Sequence, residues 1–223
     1  MYSEPTYCID LGDNVEAYAS TYLNKKVRDT CKKRKSMLYR ETSPEFVCYS
    51  GDEAMDHLDE FLSIQERGWR VQKNNSLVSD DNDYIFLKIV AKAFADEGKL
   101  ALFFLIIDGV KAAGRMAYFE NGVLQMLKSV YDLSYKQYSP STALLLYIVE
   151  YYSRENSPVN KMNLFPVSFG YKQRFAHASD SSLMYVVFNK GFLSYLLEKV
   201  YKYKMSKWIA RKSKELPCAI PRP

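Results

Sequence analysis

The stretch Leu100–Tyr131 reads LALFFLIIDGVKAAGRMAYFENGVLQMLKSVY, and its two Asx-Gly pairs decide the fold. Asp108-Gly109 and Asn121-Gly122 each stand between runs rich in apolar residues. Such pairs favour the two-residue turns in which both central residues have positive φ, the turns that match strand twist. The segments 100–107, 110–119 and 123–131 are therefore expected as a three-strand antiparallel meander.

Downstream, Tyr138-Ser139-Pro140-Ser141-Thr142 opens a helix expected over 141–154. Ser139 suits the N-cap and Pro140 the first helical position. Ala143, Leu144, Tyr147, Ile148 and Tyr151 are expected as its buried face. Met162–Phe165 reads as a short strand after this crossover, so it should lie parallel to the meander's last strand. A turn or short helix is expected over 168–175, a last strand over Leu183–Phe188, and a basic helix over 191–212.

Upstream, residues 6–11 read as a strand, with Gly12-Asp13-Asn14 as a turn and Asn14 able to cap the next helix. One long helix is expected over 15–41, with Leu23, Val27, Cys31 and Leu38 on one stripe. A strand over 45–49 leads into a helix from about Asp52 to Gln72, carrying Met55, Leu58, Leu62, Gln65 and Trp69 at helical steps. Residues 73–82 are a polar loop, and a helix over 83–97 ends at Gly98. The fold class is α/β (α+β): a mixed, mostly antiparallel sheet with helices on both faces. We expect a single domain over 1–223, with an N-terminal strand and helix portion (1–98), a core meander and crossover (99–190), and a basic C-terminal helix and tail (191–223).

Composition narrows the function. The chain has 223 residues and a net charge of +5, concentrated at its ends. Residues 24–40 hold Lys25, Lys26, Arg28, Lys32, Lys33, Arg34, Lys35 and Arg40 against Asp29 alone. The tail holds Lys199, Lys202, Lys204, Lys207, Arg211, Lys212 and Lys214 against Glu198 and Glu215. Basic ends suit phosphates, acidic polymers or anionic lipid. The four cysteines form no CxxC or CxxH pair, so neither a zinc site nor a disulfide framework is expected. The first residues have neither a basic start nor an apolar run, so no signal peptide is expected and the cytoplasm is the expected compartment. The longest apolar stretch, Leu100–Ile107, is far too short to cross a membrane.

Two places suit chemistry. The strand–helix junction 131–142 offers free backbone N–H groups and the positive end of a helix dipole, an anion site. Tyr171-Lys172 with Arg174 places a phenol and two cations at the end of a central strand. There is no G-x-S-x-G, Walker loop or G-x-G-x-x-G.

The order of elements then resembles a known family. The helix ending Phe61-Leu62-Ser63-Ile64-Gln65-Glu66-Arg67-Gly68-Trp69-Arg70, the meander with Asp108-Gly109, the Ser139-Pro140 junction and Tyr171-Lys172-Gln173-Arg174-Phe175 resemble the GNAT acyltransferase domain of cellulose-biosynthesis-type and peptidoglycan-bridge-type proteins. Members usually carry a second, related half upstream, and this chain resembles the C-terminal half. The resemblance implies acetyl-CoA or another acyl-CoA as donor, no metal, and an amine or hydroxyl acceptor. It implies donor contacts at Ser129, Val130, Ser139, Ser141 and Thr142, with Tyr171 as general acid and Lys172 binding substrate or donor phosphate. Two positions depart from the family pattern. Ser141 stands where a glycine is usual, and Pro166–Gly170 lacks the usual acidic residue before Tyr171. The alternatives are a tRNA-dependent aminoacyltransferase and an inactive binding module. Nucleic acid is not an expected partner, because only Tyr22 and Tyr39 flank the basic helix. Peripheral contact of the tail with anionic membrane is a further expectation.

Overall fold

The computed structural model describes residues 3–11, 15–68, 81–154, 157–165, 172–183 and 190–215. The chain divides into two compact units: Pro5–Asp180, and Met1–Glu4 with Ser181–Pro223. In chain order the elements are β1 (Ser3–Asp10), α1 (Val15–Tyr22), α2 (Lys25–Glu41), β2 (Pro44–Ser50), α3 (Gly51–Asp56), α4 (Leu58–Glu66) and α5 (Asp81–Asp96). Then come β3 (Leu100–Ile107), β4 (Val110–Glu120), β5 (Val123–Tyr131), a 3₁₀ turn (Leu133–Tyr138), α6 (Pro140–Tyr152), β6 (Lys161–Asn163), α7 (Lys172–Phe175), β7 (His177–Leu183) and α8 (Phe192–Glu215).

Among the described residues the sheet has seven strands in the order β2-β3-β4-β5-β6-β1-β7. The meander forms as its turns dictate. Asp108 and Gly109 have φ of 51° and 79°, and Asn121 and Gly122 have φ of 50° and 78°. β2 to β5 pair antiparallel in succession, while β5 pairs with β6 in parallel. In the β4–β5 ladder Met116 faces Lys128 and Ala117 faces Met126, so Leu127 is the extra residue of a bulge.

Alternation along the strands builds two cores. Leu102, Phe104, Met116 and Val130 pack with Leu58, Phe61 and Ile64 of the α3–α4 segment and with Ala91 and Ala95 of α5. Phe103, Leu105, Ala113 and Ala117 face the other way, against Leu38 of α2 and Leu144, Leu145 and Ile148 of α6. Burying each large side chain stabilises the fold by about 1.5–3 kcal/mol.

Several expected elements change. The helix 15–41 is two helices, because Asn24 takes an extended backbone and its side chain caps α2 by accepting the Val27 N–H at 3.0 Å. The helix begun at Asp52 breaks at His57, whose ring stacks on Tyr49 at 3.6 Å. The buried face of α6 is Leu144, Leu145, Ile148 and Val149; Tyr147 and Tyr151 turn toward Phe46 instead. The strand after the crossover is Lys161–Asn163; the strand over His177–Leu183 is not among the expected ones, and residues 184–188 of the expected strand Leu183–Phe188 lie outside the described residues. Gly98 ends α5 as expected, with φ of 66° and a Lys99 N–H bond to the Phe94 carbonyl at 2.8 Å. The Gly12–Asn14 turn, Trp69 and the polar loop 73–80 lie outside the described residues.

Candidate donor site

The site begins where the parallel ladder stops. β5 and β6 share three rungs, Val123↔Lys161, Leu124↔Met162 and Gln125↔Asn163. Beyond them no described strand pairs with that edge of β5, along residues 126–131. The branch point is pinned. Asn163 donates to the Gln125 side chain at 2.7 Å, and its own oxygen accepts the Phe165 N–H at 2.8 Å.

Lys172 closes the β6 side. It is buried, and its ammonium donates to the carbonyls of Leu164 and Phe165. Burial, reinforced by the charge of Arg115, pulls its pKa down to about 8. Beside it Tyr18 donates to the Phe175 carbonyl at 3.0 Å, and burial raises that phenol well above its ordinary pKa.

On the β5 side stands Arg115, which the sequence reading leaves out. Its guanidinium lies under the start of α6 and donates to the Ser141 carbonyl at 3.1 Å and to Ser141 Oγ at 3.3 Å. Ser141 Oγ in turn lies 2.9 Å from Ser129 Oγ. The structure thus joins Ser129 and Ser141, 12 positions apart, on one buried cation. A cation inside the run Ala112-Ala113-Gly114-Arg115-Met116-Ala117 is the available signal.

Ser139 occupies the N-cap position of α6 but does not cap with its side chain. It sits in the left-handed region, with φ of 53° and ψ of 55°, as the shared end of the 3₁₀ turn and start of α6. The expected N-cap geometry is extended, so the hydroxyl is not aimed at the first amides. The Ser139 carbonyl accepts the Thr142 and Ala143 N–H groups, and its own N–H goes to Lys136. Pro140 brings no N–H, so Ser141 carries the junction's amide that meets no described backbone carbonyl.

A cleft of about 460 Å³ opens at this junction between α2 and α6. Ser139 and Thr142 line it, with Cys31 and Leu38 from α2. Lys26, Arg34, Lys35 and Arg174 surround it, against Glu150 alone. Lys35 is held by Glu150 at 3.2 Å, and Arg34 donates to the Gln137 carbonyl. Three of the eight cations of α2, Lys26, Arg34 and Lys35, thus line a cleft at a helix N-terminus, while Lys25, Lys32, Lys33 and Arg40 stay on the exposed face. Val130 points to the opposite face, buried beside Gly114 and Phe61. Tyr171 lies outside the described residues.

No curated protein matches the chain. A structure of a conserved protein of unknown function from Bacteroides thetaiotaomicron VPI-5482 is similar, with a TM-score of 0.52 and 12% identity over 73% of this chain and 50% of that one. The chain thus spans about half the length of that protein. A possible acetyltransferase from Clostridium difficile 630 has a TM-score of 0.48 and 18% identity over 65% of this chain and 99% of that one. The family model of the acetyltransferase (GNAT) domain matches residues 25–173, about two-thirds of the chain, and takes in the site built above apart from Tyr18 of α1 and Arg174 and Phe175 of α7. The chain belongs to the GNAT acetyltransferase domain family.

Proposed function

We propose that this chain is an acyl-CoA-dependent N- or O-acyltransferase of the cellulose-biosynthesis and peptidoglycan-bridge type, working in the cytoplasm. The observation that carries the reading is the parallel β5–β6 pair that ends after three rungs beside a basic cleft at a helix N-terminus. Open strand backbone suits the amide-bearing arm of a thioester donor. The cleft suits its phosphates, which gain from the helix dipole and from Arg34, Lys26 and Arg174.

In this reading the pantetheine arm pairs with the backbone near Ser129 and Val130, and the pyrophosphate rests by Ser139, Ser141 and Thr142. The acceptor's amine or hydroxyl attacks the thioester carbonyl. The new C–N or C–O bond forms, the C–S bond breaks, and the thiolate leaves. Most of the rate comes from holding the two reactants in line. Tyr171 protonates the departing thiolate, and the proton that the acceptor's nitrogen or oxygen gives up restores the phenol. Lys172 keeps the end of β6 in place through its two carbonyl bonds, so that the gap does not close.

Release of free CoA thiol from acetyl-CoA, followed with a panel of amines and alcohols, tests the reading. Acceptor-dependent release is expected, and Tyr171→Phe lowers turnover more than donor affinity. Donor binding without release with any acceptor fits an inactive binding module instead.

A second reading, a tRNA-dependent aminoacyltransferase, gains support from one feature. Tyr39 and Tyr147 share a hydroxyl bond of 2.6 Å beside the basic helix α2, and Lys35 lies 5.5 Å from the Tyr147 ring centroid. These rings add an aromatic platform to a cationic face. Strongly salt-dependent RNA binding, lost in Tyr147→Ala, would favour it.

A further inference from the structure

The function proposed above leaves α8 unused, and its surface has a definite chemistry. Between Ser194 and Lys207, Ser194, Glu198 and Tyr201 are half-buried and fall on one side of the helix. The other described side chains of this segment are exposed. Tyr195, Leu196, Leu197, Val200 and Tyr203 are each 44–60% exposed, a dense apolar display for one short segment. Lys199, Lys202, Lys204 and Lys207 are exposed among them. Two lysines lie along the tyrosines: Lys199 Nζ is 5.2 Å from the Tyr195 ring centroid and Lys207 Nζ is 4.5 Å from that of Tyr203. The carboxylate of Glu198 sits on the half-buried side and is paired with Lys202. Among the described residues, then, the exposed face carries four cations and no acid.

We propose that this face of α8 docks on an anionic phospholipid surface, with the helix lying in the plane of the headgroups. Three properties select that occupant. The aliphatic residues give a buried contact that a phosphate backbone alone would not reward, which disfavours nucleic acid. The lysines have apolar stems long enough to lie along the tyrosine rings while their ammonium groups reach lipid phosphates. Tyrosine, with an apolar ring and a polar tip, fits the boundary between acyl chains and headgroups. A second copy of the chain fits poorly, because a two-fold contact would set this lysine face against itself. No helix of the described residues is long and apolar enough to cross a membrane, so the contact is peripheral. Docking through α8 is independent of the acyltransferase reading.

The full chain is sedimented at low salt with vesicles of phosphatidylcholine alone and of phosphatidylcholine with about one-third phosphatidylglycerol. Binding is expected to the anionic vesicles and to fade as salt is added. Neutralising three lysines (Lys199→Gln, Lys204→Gln, Lys207→Gln) should lower the partition coefficient on the order of 100-fold, about fivefold for each charge. Leu197→Ser with Val200→Ser should lower it about tenfold or more while leaving the charge intact. All these side chains are exposed, and an unchanged circular dichroism spectrum verifies the fold of each variant. Equal recovery with both vesicle types overturns the proposal, as does undiminished binding by either variant. A dimer in light scattering that Leu197→Ser with Val200→Ser dissociates also overturns it, since a second copy then covers the face.

Discussion

The two faces of the central sheet are built from the same strands and differ in what they enclose. On the α4 face, Phe61 sits so close over Gly114 that a Cβ there would lie 2.7 Å from the ring, and the neighbours are Val130, Phe104 and Met116. On the α6 face, one residue further along β4, Arg115 is buried and bonds the half-buried Ser141, which meets Ser129, and the charge of Lys172 is close enough to be felt. A close-packed apolar face needs no ligand to explain it. A face that takes in a guanidinium and an ammonium accepts a large desolvation cost, and such costs collect at functional sites. The comparison teaches that β4 is the pivot: Gly114 lets the helix layer close down on one side, and Arg115 holds the start of α6, the proposed donor junction, on the other.

The comparison breaks first at Arg115. Arg115→Ala should cost about 3 kcal/mol, because it opens a buried space and leaves the Ser141 carbonyl and hydroxyl without their cation. Urea unfolding measures this, and the surviving protein should also bind acyl-CoA more weakly. Gly114→Ala should cost about 1–3 kcal/mol through overpacking against Phe61, with little effect on donor affinity. If it abolished donor binding while remaining folded, the division between the faces would fail.

Lys172 sharpens the comparison through pH. Its folded pKa of about 8 lies below the 10.5 of a free lysine. From pH 8 upward the folded chain gives up this proton while the unfolded chain keeps it. The unfolded state then binds more protons, so this group's contribution to stability rises with pH. Between pH 8 and 9 the wild type should gain about 1 kcal/mol relative to Lys172→Met, read from denaturant midpoints. The opposite sign would mean that its carbonyl bonds outweigh its burial. The smallest effect is on the closed face. Gln65 is buried there with neither amide atom hydrogen-bonded, so Gln65→Leu should raise stability by about 1 kcal/mol and leave donor affinity unchanged.

The sequence makes some of this legible and hides the rest for physical reasons. Asp108-Gly109 and Asn121-Gly122 specify their turns locally, so the meander comes from short-range chemistry, while the parallel return strand follows from the helical crossover before it. The break at Asn24 is also local, but a helical stripe runs through it from Leu23 to Leu38 and masks it. The face of α6 is hard to read because tyrosine is apolar enough to pass for core. Tyr147 and Tyr151 instead pack on Phe46 at the sheet edge. At the junction the residues 139–142 are readable as a helix start. What composition alone does not give is that Ser141 turns inward to Arg115 while Ser139 and Thr142 face the cleft. The basic run of α2 reads as a surface, and only the packing of α2 beside α6 makes Arg34 and Lys26 part of a pocket.

The central claim is that the cleft between α2 and α6 holds the donor's phosphates. Calorimetric titration of acetyl-CoA into the wild type and into Arg34→Ala with Arg174→Ala tests it most directly. Binding is expected for the wild type, with affinity falling about 100-fold in the double variant as two charge-assisted contacts, each worth about 1.5 kcal/mol, are lost. The salt dependence of binding should fall with it. No binding by the wild type, or equal affinity in the two proteins, would contradict the account.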